Sequence, residues 1–415
     1  MSADPHRKAG LIRDLSSTAR RRLLLSVALV MMAIITAVLF ARADFRTVGV
    51  DDFVEYWSAG RLNLQGGNPY SQTELLRVQR AQGWDGELPV MMWNPPHTLT
   101  FVMPFASLPY GFARKLWLLV SIAVILIASD RLWRLYGGSP AKRAFAPLLA
   151  AAFMPTLAAL KNGQITALLL AGVAGFLCFA HRGRWLAAGC FLVLVAIKPH
   201  VVYLIWVALG LWWIRRPQWR LVSGSVLFLG ISWLISTMIN PDVTSQYLEA
   251  VLGRPPLYWR TMTWGSALRM AFSVEREWLQ LVAPGIGCCW LLYRWFERGK
   301  EWNWTEEMPR LILVSTSTMA FGWPFDLTVL LPAVIQAGVW MSEERDSTLR
   351  RRVLTVYVAL QGLAVAMNQA LLDAIYFIWL SPALLLLYSY YAARRTRPAD
   401  SSVLISKPSA AGFGT

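Results

Sequence analysis

Charged side chains are scarce in this sequence. Asp, Glu, Lys and Arg make up 15% of its 415 residues, whereas hydrophobic residues make up 56%. A soluble globular chain of this length carries more charge, so the composition excludes an ordinary soluble enzyme. Apolar runs of about 14–20 residues recur between short polar segments, which indicates a polytopic α-helical membrane protein.

The sequence also lacks the motifs of most cofactor-dependent enzymes. It contains no Walker A motif, dinucleotide fingerprint, Gly-x-Ser-x-Gly elbow or His/Cys metal cluster. It has no Asp-x-Asp pair, so a metal-bound nucleotide-sugar donor has no support. The four cysteines lie inside apolar runs, where their spacing favours neither a disulfide framework nor a metal site. No cofactor is therefore predicted, and a need for a divalent cation stays open.

Basic residues give the chain a net charge of +16, and their positions explain the excess. They cluster in alternate gaps between the apolar runs, as at Arg20–Arg22, Arg131–Arg143, Arg215–Arg220 and Arg350–Arg352. Cytoplasmic loops of membrane proteins carry such clusters, so these gaps and both termini are predicted to be cytoplasmic. The charge is thus a topology signal, and nucleic acid is not an expected partner.

The apolar runs predict about twelve crossings. The expected organisation is a basic tail (1–22), a first span (23–42), a large external loop (43–112), a helical bundle (113–391) containing a second external loop (240–275), and a cytoplasmic tail (392–415). The expected bundle helices are 113–133, 144–160, 165–180, 185–198, 201–214, 221–239, 278–296, 311–323, 327–341, 353–368 and 374–391.

One apolar stretch of the first loop does not fit this alternation. Residues 97–110 are short for a hydrocarbon core of about 30 Å and contain two prolines. If they crossed the membrane, every later basic cluster would fall outside. They are therefore predicted to form a re-entrant or juxtamembrane helix that protein, rather than lipid, covers.

Two adjacent carboxylates, Asp51 and Asp52, begin the polar and aromatic part of the first loop. A carboxylate near an apolar wall has a raised pKa and can accept a hydroxyl proton as a general base. Aspartate is also a common helix N-cap, and the following run FVEYWSAGRLNL reads as a helix. Both interpretations hold together if one aspartate caps the helix and the other acts.

Polar residues also occupy the outward tips of the short helical hairpins. The first tips carry Lys161, Asn162, Gln164, Lys198 and His200. Lysines at helix ends often extend to the membrane surface, but two lysines and a histidine on adjacent hairpins also suit a phosphate pocket.

Two further regions carry candidate residues. Arg260 lies among aromatic residues of the second external loop, a mixture that suits phosphate binding or an interfacial belt. Trp323 and Asp326 belong to the tip sequence WPFD. An idle carboxylate between apolar runs is costly, so Asp326 is expected either to bind an acceptor hydroxyl or to pair with Lys198.

These residues together resemble a known family. The segment Asp52–Tyr70 is similar to the pattern D-F-x-x-Y-W-x-A-G that follows the first span in glycosyltransferase family 87, the bacterial α-1,2-mannosyltransferase-like group of the GT-C superfamily. A proline-rich element (95–117) and the tips 162–164, 198–199 and 324–326 follow in the order that the family shows.

The resemblance implies a GT-C fold and a polyprenyl-phosphate sugar donor, with Asp52 as an inverting general base. A one-residue shift would give that role to Asp51. It further implies transfer of a mannosyl or arabinofuranosyl residue to an external glycolipid or polysaccharide, in the bacterial inner membrane and on its external face. Tyr56, Trp57 and Trp323 are expected to stack on sugar rings, with Gln164, Asn162 and Asp326 near the substrate and the basic tips on the donor phosphate.

Two alternatives remain at this point. A transporter or flippase of a lipid-linked sugar would use the same cavity without bond chemistry. A polysaccharide polymerase or ligase would use a lipid-diphosphate donor. Polar functional residues at the inward tips would favour the transporter, and few are visible.

Overall fold

The computed structural model describes residues 51–253 and 259–395. The predicted basic tail and first span (23–42), and most of the predicted tail from 392, lie outside these residues. The described residues form helices, turns and loops with no β-strand among them. Several helices are long and apolar enough to cross a membrane, so the structure supports the prediction of an all-α membrane protein.

The first half of the described chain contains ten helices. They are α1 (Phe53–Leu64), α2 (Gln72–Arg80), α3 (Leu99–Ala106), α4 (Tyr110–Leu135), α5 (Phe145–Ala151), α6 (Met154–Lys161), α7 (Thr166–His181), α8 (Trp185–Val195), α9 (Tyr203–Arg215) and α10 (Trp219–Ile239).

The second half contains seven α-helices among its described residues. They are α11 (Val243–Gly253), α12 (Trp264–Phe272), α13 (Val282–Arg298), α14 (Trp304–Thr318), α15 (Leu331–Glu343), α16 (Ser347–Gln369) and α17 (Leu380–Arg395). The 3₁₀ turn that matters most for the site is Pro324–Leu330, directly before α15.

The first loop is built from three short helices. The Ser71 hydroxyl accepts the Glu74 N–H at 3.3 Å and caps α2. Asp52 is the N-cap residue of α1 and makes no side-chain capping bond, but the side chain of Asp51, one position earlier, accepts the Phe53 backbone N–H at 3.1 Å. One face of α1 packs against α3 and the start of α4 in a small core of its own. A separate and larger core fills the bundle.

Helix α3 occupies the apolar stretch that the sequence left ambiguous. It has 8 residues and an internal proline at Pro104. At 1.5 Å per residue it is about 12 Å long, much shorter than a hydrocarbon core. Helix α4 begins at Tyr110, three residues earlier than predicted, because Pro109 precedes it and fixes the turn between the two helices.

Twelve crossings are not supported by the helices that the structure describes. Four helical segments are long and apolar enough to span: Tyr110–Leu135, Trp219–Ile239, Pro324–Glu343 and Ala374–Arg395. A fifth span is possible if Pro140–Ala151 and Met154–Lys161, which meet at 60°, count as one. The expected helix 144–160 is therefore broken. The hydropathy pattern does not reveal this bend, whereas the shorter apolar helices α7, α8 and α9 lie within three residues of the expected helices 165–180, 185–198 and 201–214.

Close helix packing in the bundle depends on glycine. A Cβ on Gly189 of α8 would overlap the Leu221 carbonyl of α10, and a Cβ on Gly224 would overlap the Leu186 carbonyl. These two glycines therefore let the backbones of α8 and α10 approach closely, as small residues do between membrane helices.

The helix predicted at 311–323 ends earlier, at Thr318. The chain then runs in non-helical conformation to Trp323 and continues as the Pro324–Leu330 turn. Proline at position 324 lacks a backbone N–H and cannot extend a preceding helix. The break carries the WPFD segment into the site described below.

Candidate active site

Three turns at the same end of the bundle meet the start of α1. Gln164 follows α6, Lys198 follows α8, and Asp326 lies in the Pro324–Leu330 turn. All three side chains are buried, with 4% of Gln164, 8% of Lys198 and none of Asp326 exposed. Residues more than a hundred positions apart thus form one polar cluster, because short helices end below the rim of the bundle.

The side-chain amide of Gln164 connects the acidic loop to the basic turn. Its Nε2 donates to Asp52 Oδ2 at 2.8 Å. Its Oε1 accepts the Tyr56 hydroxyl at 2.8 Å and the Lys198 ammonium at 3.1 Å. Because both ends of the amide are hydrogen-bonded, this one neutral side chain fixes the position of the Asp52 carboxylate relative to the Lys198 ammonium.

Lys198 also forms an ion pair with Asp326, with 2.9 Å between Nζ and Oδ1. The other Asp326 oxygen accepts the Trp323 N–H at 3.0 Å and caps the turn. The Lys198 ammonium also lies 5.1 Å from the centre of the Phe325 ring. A buried charge requires such compensation, so the pairing that the sequence offered as one option for Asp326 is present.

Asp51 is held differently from its neighbour. Arg114 of α4 contacts Asp51 Oδ2 through Nε at 2.6 Å. The same guanidinium donates through Nη2 to the carbonyls of Leu160 and Lys161, each at 3.0 Å. Asp51 therefore binds the Phe53 N–H at the start of α1 and ties the loop, through Arg114, to the end of α6. Burial raises the pKa of Asp51, and the Arg114 charge opposes this rise.

Asp52 has no arginine partner. Burial raises the pKa of its carboxyl group, while the Gln164 hydrogen bond and the Lys198 charge act in the opposite direction and the nearby Asp326 adds to the rise. A carboxylate whose pKa is raised toward neutrality is a stronger proton acceptor than one held by a full ion pair.

Glu55 is a further acidic residue that the sequence analysis did not select. It lies three positions after Asp52 on α1, and burial together with the Asp52 charge raises its pKa to about 8. The spacing of three residues, which puts two side chains on one helix face, was the available signal. Glu55 is therefore mostly protonated at pH 7, and Asp52 has a neutral neighbour.

The other predicted phosphate ligands are less buried than Lys198. Lys161 and Arg260 are exposed, and Asn162, a predicted substrate contact, is half-buried at the end of α6. Burial lowers the pKa of the half-buried His200 to about 4, so its imidazole is neutral at pH 7. His200 would therefore meet a phosphate as a neutral hydrogen-bond donor.

Two of the aromatic residues expected to stack on sugar have no free ring face. Tyr56 is fully buried, with its hydroxyl on Gln164 and its ring stacked on Trp117 at 6.1 Å. Trp57 is 5% exposed, and its indole donates to the Leu108 carbonyl at 3.0 Å. Both side chains therefore pack inside the loop, where nine of the twelve residues of α1 are buried.

Trp323, the third predicted ring, is half-buried and belongs to an aromatic row. It lies parallel to Phe325, with 6.0 Å between the ring centres, and meets Trp259 edge-on at 4.9 Å. Trp259 in turn meets Trp93 at 5.8 Å. The row begins beside the Lys198 ammonium and continues into the second loop. Such rings offer apolar faces to a sugar or to a lipid chain.

A glycine makes the junction between α6 and the acidic loop possible. Gly163 has φ of +67°, a left-handed conformation, and a Cβ there would lie 2.7 Å from Phe53 Cβ and 3.1 Å from Arg114 Nε. Its carbonyl accepts the Trp117 indole N–H at 2.8 Å. Only glycine fits this backbone, which turns the Gln164 side chain toward Asp52.

Comparison with known proteins supports a specific family. Residues 93–316 match the model of glycosyltransferase family 87, just over half of the chain. The chain belongs to glycosyltransferase family 87. The resemblance inferred from its motifs is thereby confirmed, and the protein is a membrane glycosyltransferase that uses a sugar donor and an acceptor. No curated protein and no solved structure matches the chain.

The matched residues include Gln164 and Lys198 but end before Asp326 and begin after Asp52. Family membership therefore assigns no role to either carboxylate, and their roles rest on geometry. The described residues contain no group of three or more His, Cys, Asp or Glu side chains suited to a metal ion.

Proposed function

We propose that this glycosyltransferase moves a mannosyl, arabinofuranosyl or related residue from a polyprenyl-phosphate donor to an external glycolipid or polysaccharide. It would act in the bacterial inner membrane, with both termini in the cytoplasm and the site on the external face. No nucleotide sugars are supplied there, so an enzyme on that face needs a donor carried by a lipid.

The observation that carries the proposal is the chain of contacts Asp52–Gln164–Lys198–Asp326. Glycosyl transfer with inversion needs a base for the acceptor hydroxyl and a positive charge for the departing phosphate. Asp52 and Lys198 supply these two groups, and the Gln164 amide between them fixes their relation. Preorganised charges of this kind need no rearrangement when the transition state forms.

In the proposed step, Asp52 accepts the proton of an acceptor hydroxyl as its oxygen bonds to the anomeric carbon. The bond from that carbon to the donor phosphate breaks, and its electron pair leaves with the phosphate. The Lys198 ammonium has three N–H donors, of which Asp326 and Gln164 take two. The third is available to the phosphate, with His200, Lys161 and Arg260 nearer the rim.

Asp52 is preferred to Asp51 as the base because of their partners. The Asp51 carboxylate is bound to Arg114 and to the Phe53 N–H, so protonating it would break an ion pair. Asp52 Oδ2 accepts one neutral hydrogen bond, which leaves more of its basicity for a substrate. Trp323 is the ring best placed to stack on a sugar, with Asn162 as a further polar contact.

The test is a transfer assay with the purified full chain in nanodiscs. Polyprenyl-phosphate mannose, polyprenyl-phosphate arabinofuranose, the matching lipid diphosphates and a nucleotide-activated mannose are each offered with a glycolipid acceptor. Turnover with a lipid-monophosphate sugar and inverted anomeric configuration is expected. Turnover with the nucleotide sugar or lipid diphosphate alone would contradict the donor assignment, and donor movement across the bilayer without bond cleavage would favour a flippase.

A further inference from the structure

A cavity lies at the opposite end of α7 from Gln164. It is lined by the ends of α7 and α9 and the beginnings of α8 and α14, it is open on one side, and its volume is about 340 Å³. Helix α7 links the two places, since it begins two residues after Gln164 and ends at His181. Its 16 residues put the two ends about 24 Å apart. The cavity is therefore separate from the candidate active site.

Tryptophan dominates the cavity wall. Trp185 and Trp212 lie 5.0 Å apart, Trp212 and Trp304 lie 5.7 Å apart, and Trp304 and Trp302 lie 5.6 Å apart, all measured between ring centres. Interfacial tryptophans normally extend toward lipid, but at least 95% of the surface of Trp212, Trp302 and Trp304 is buried. These tryptophans therefore form the wall of the cavity and do not form a lipid-facing aromatic belt.

The cavity is rich in hydrogen-bond donors. The indole N–H groups of Trp302 and Trp304 are shielded from solvent and find no acceptor among the described residues. A buried donor without an acceptor costs free energy, so an occupant with acceptor oxygens would stabilise this region. Arg216 also lines the cavity. One of its N–H groups donates to the Lys300 carbonyl at 2.8 Å, and the other guanidinium N–H groups are available to a ligand.

Arg216 is the charged side chain of the cavity lining, and no acidic side chain belongs to that lining. The flanking residues carry both signs: Arg182, Arg184 and Arg215 are basic, and Glu301 and Glu306 are acidic. Several donors, a guanidinium and no carboxylate are the recognition features of a phosphate group. A quaternary ammonium, which also favours aromatic cages, would meet repulsion from these cations.

We propose that this cavity binds the phosphate head group of an anionic membrane phospholipid. Arginine clusters mark this end of the bundle as the one near a negatively charged membrane surface, where such lipids are concentrated. The indole rings would cover the glycerol part, and Arg216 would bind the phosphate oxygens. The N–H groups of Trp302 and Trp304, which are shielded in this structure, would reach those oxygens after their rings turn toward the cavity. The site is independent of the glycosyl-transfer chemistry proposed above.

The experiment is native mass spectrometry of the full chain, released from detergent with graded amounts of phosphatidylglycerol or diacylglycerol. Retention of one phosphatidylglycerol is expected, with no retention of diacylglycerol, which lacks the phosphate. Arg216→Gln and the double variant Trp302→Phe/Trp304→Phe should each weaken retention by about tenfold or more. The matched controls Arg220→Gln and Trp219→Phe, at the exposed beginning of α10, should retain the lipid normally.

Three outcomes would overturn the proposal. Equal retention of phosphatidylglycerol and diacylglycerol would show that the phosphate is not recognised. Thermal stabilisation by inorganic phosphate as large as that by the lipid would identify a soluble ligand instead. If the double tryptophan variant melts at a higher temperature and binds lipid unchanged, the buried N–H groups serve no ligand, because their removal only relieves an unmet hydrogen bond.

Discussion

The start of α1 has an Arg114 side, which contains Asp51, and a Lys198 side, which contains Asp52. These two neighbouring carboxylates lie in very different surroundings. Asp51 meets a guanidinium that is itself fixed to the carbonyls of α6. Asp52 meets a neutral amide, and the nearest cation in its network is already paired with Asp326. The first arrangement anchors the loop, and the second leaves Asp52 with a raised pKa next to the Lys198–Asp326 ion pair.

The comparison teaches that adjacent acids need not share a role. An ion pair with a fixed partner stabilises the folded state and takes away proton affinity. A carboxylate with a neutral partner contributes less to stability and keeps its basicity. The following predictions test the contrast, starting with the largest expected effect.

Removing the charge on the Lys198 side should disable the enzyme. Lys198→Met alone leaves Asp326 buried without compensation, which costs about 3–5 kcal/mol and would confuse folding with function. The double variant Lys198→Met/Asp326→Asn removes both charges and should fold with a melting temperature close to that of the wild type. Its transfer rate should still fall at least about 100-fold, because the leaving phosphate loses its cation.

A matched control for this variant is Lys115→Met, which removes an exposed lysine on α4. Transfer and donor binding are expected to be unchanged. Donor binding to the double variant, measured with a non-transferable polyprenyl phosphate, should weaken. Wild-type rates in the double variant would contradict the role of Lys198.

Gln164→Leu should change the pH dependence of transfer more than its maximum rate. The Gln164 hydrogen bond lowers the pKa of Asp52, so its removal raises that pKa further above the usual value. Asp52 acts as a base only when deprotonated, and activity is lost as the pH falls through its pKa. The acidic limb of the pH–rate profile should therefore move to higher pH, and an unmoved limb would separate Asp52 from the observed titration.

Changes on the Arg114 side should affect stability first. Asp51→Asn breaks the ion pair with Arg114 and weakens the start of α1, so the free energy of unfolding should fall by about 1–3 kcal/mol. Transfer per folded molecule should fall less than tenfold. Arg114→Gln should produce a similar loss, and the double variant should lose less than the sum of the two, which a double-mutant cycle in detergent would measure.

The smallest effect is expected at Glu55. Its folded-state pKa of about 8 lies above its ordinary value of 4.5, so the folded state binds a proton that the unfolded state releases. The resulting stability is fully present below pH 4.5 and is lost as the pH rises toward 8. Glu55→Gln should remove this part of the pH dependence, and thermal melts between pH 5 and pH 9 would reveal it.

Sequence reasoning selected side chains that the structure brings together, but it did not predict the number of membrane spans or every helix boundary. Side-chain identity and position at a helical tip identified Gln164, Lys198 and Asp326, because polar groups among apolar helices are expensive and therefore conspicuous. The two acidic residues have different partners: the Asp51 side chain accepts the Phe53 N–H at the start of α1, and the Asp52 side chain, at the N-cap position, bonds to Gln164. A catalytic role for Asp52 stays a prediction.

Hydropathy gave the wrong helix pattern for physical reasons. An apolar run has the same composition whether it spans the membrane or bends halfway, as α5 and α6 do at 60°. The run 311–323 could not reveal that α14 ends at Thr318, because the break depends on the Trp323–Asp326 turn and its capping bond. Twelve spans followed from counting runs, whereas the described helices differ widely in length.

Sequence reasoning missed Arg114, and it could not show how Tyr56 and Trp57 pack. Arg114 lies near the beginning of the apolar helix α4, where the sequence alone did not single it out, although it fixes both Asp51 and the end of α6. Stacking of Tyr56 and Trp57 on sugar rings stays a prediction, and both side chains are buried in this structure. Their burial depends on contacts with α3 and α4, which is tertiary information.

The most direct test compares Asp52→Asn with Asp51→Asn in the same nanodisc preparation. Transfer rate, donor binding and melting temperature are measured for both variants. Asp52→Asn should lose at least about 100-fold in rate while keeping donor binding and stability, and Asp51→Asn should show the reverse balance. An Asp52→Asn enzyme that turns over at close to the wild-type rate, or a larger rate loss in Asp51→Asn, would contradict the assignment of the base.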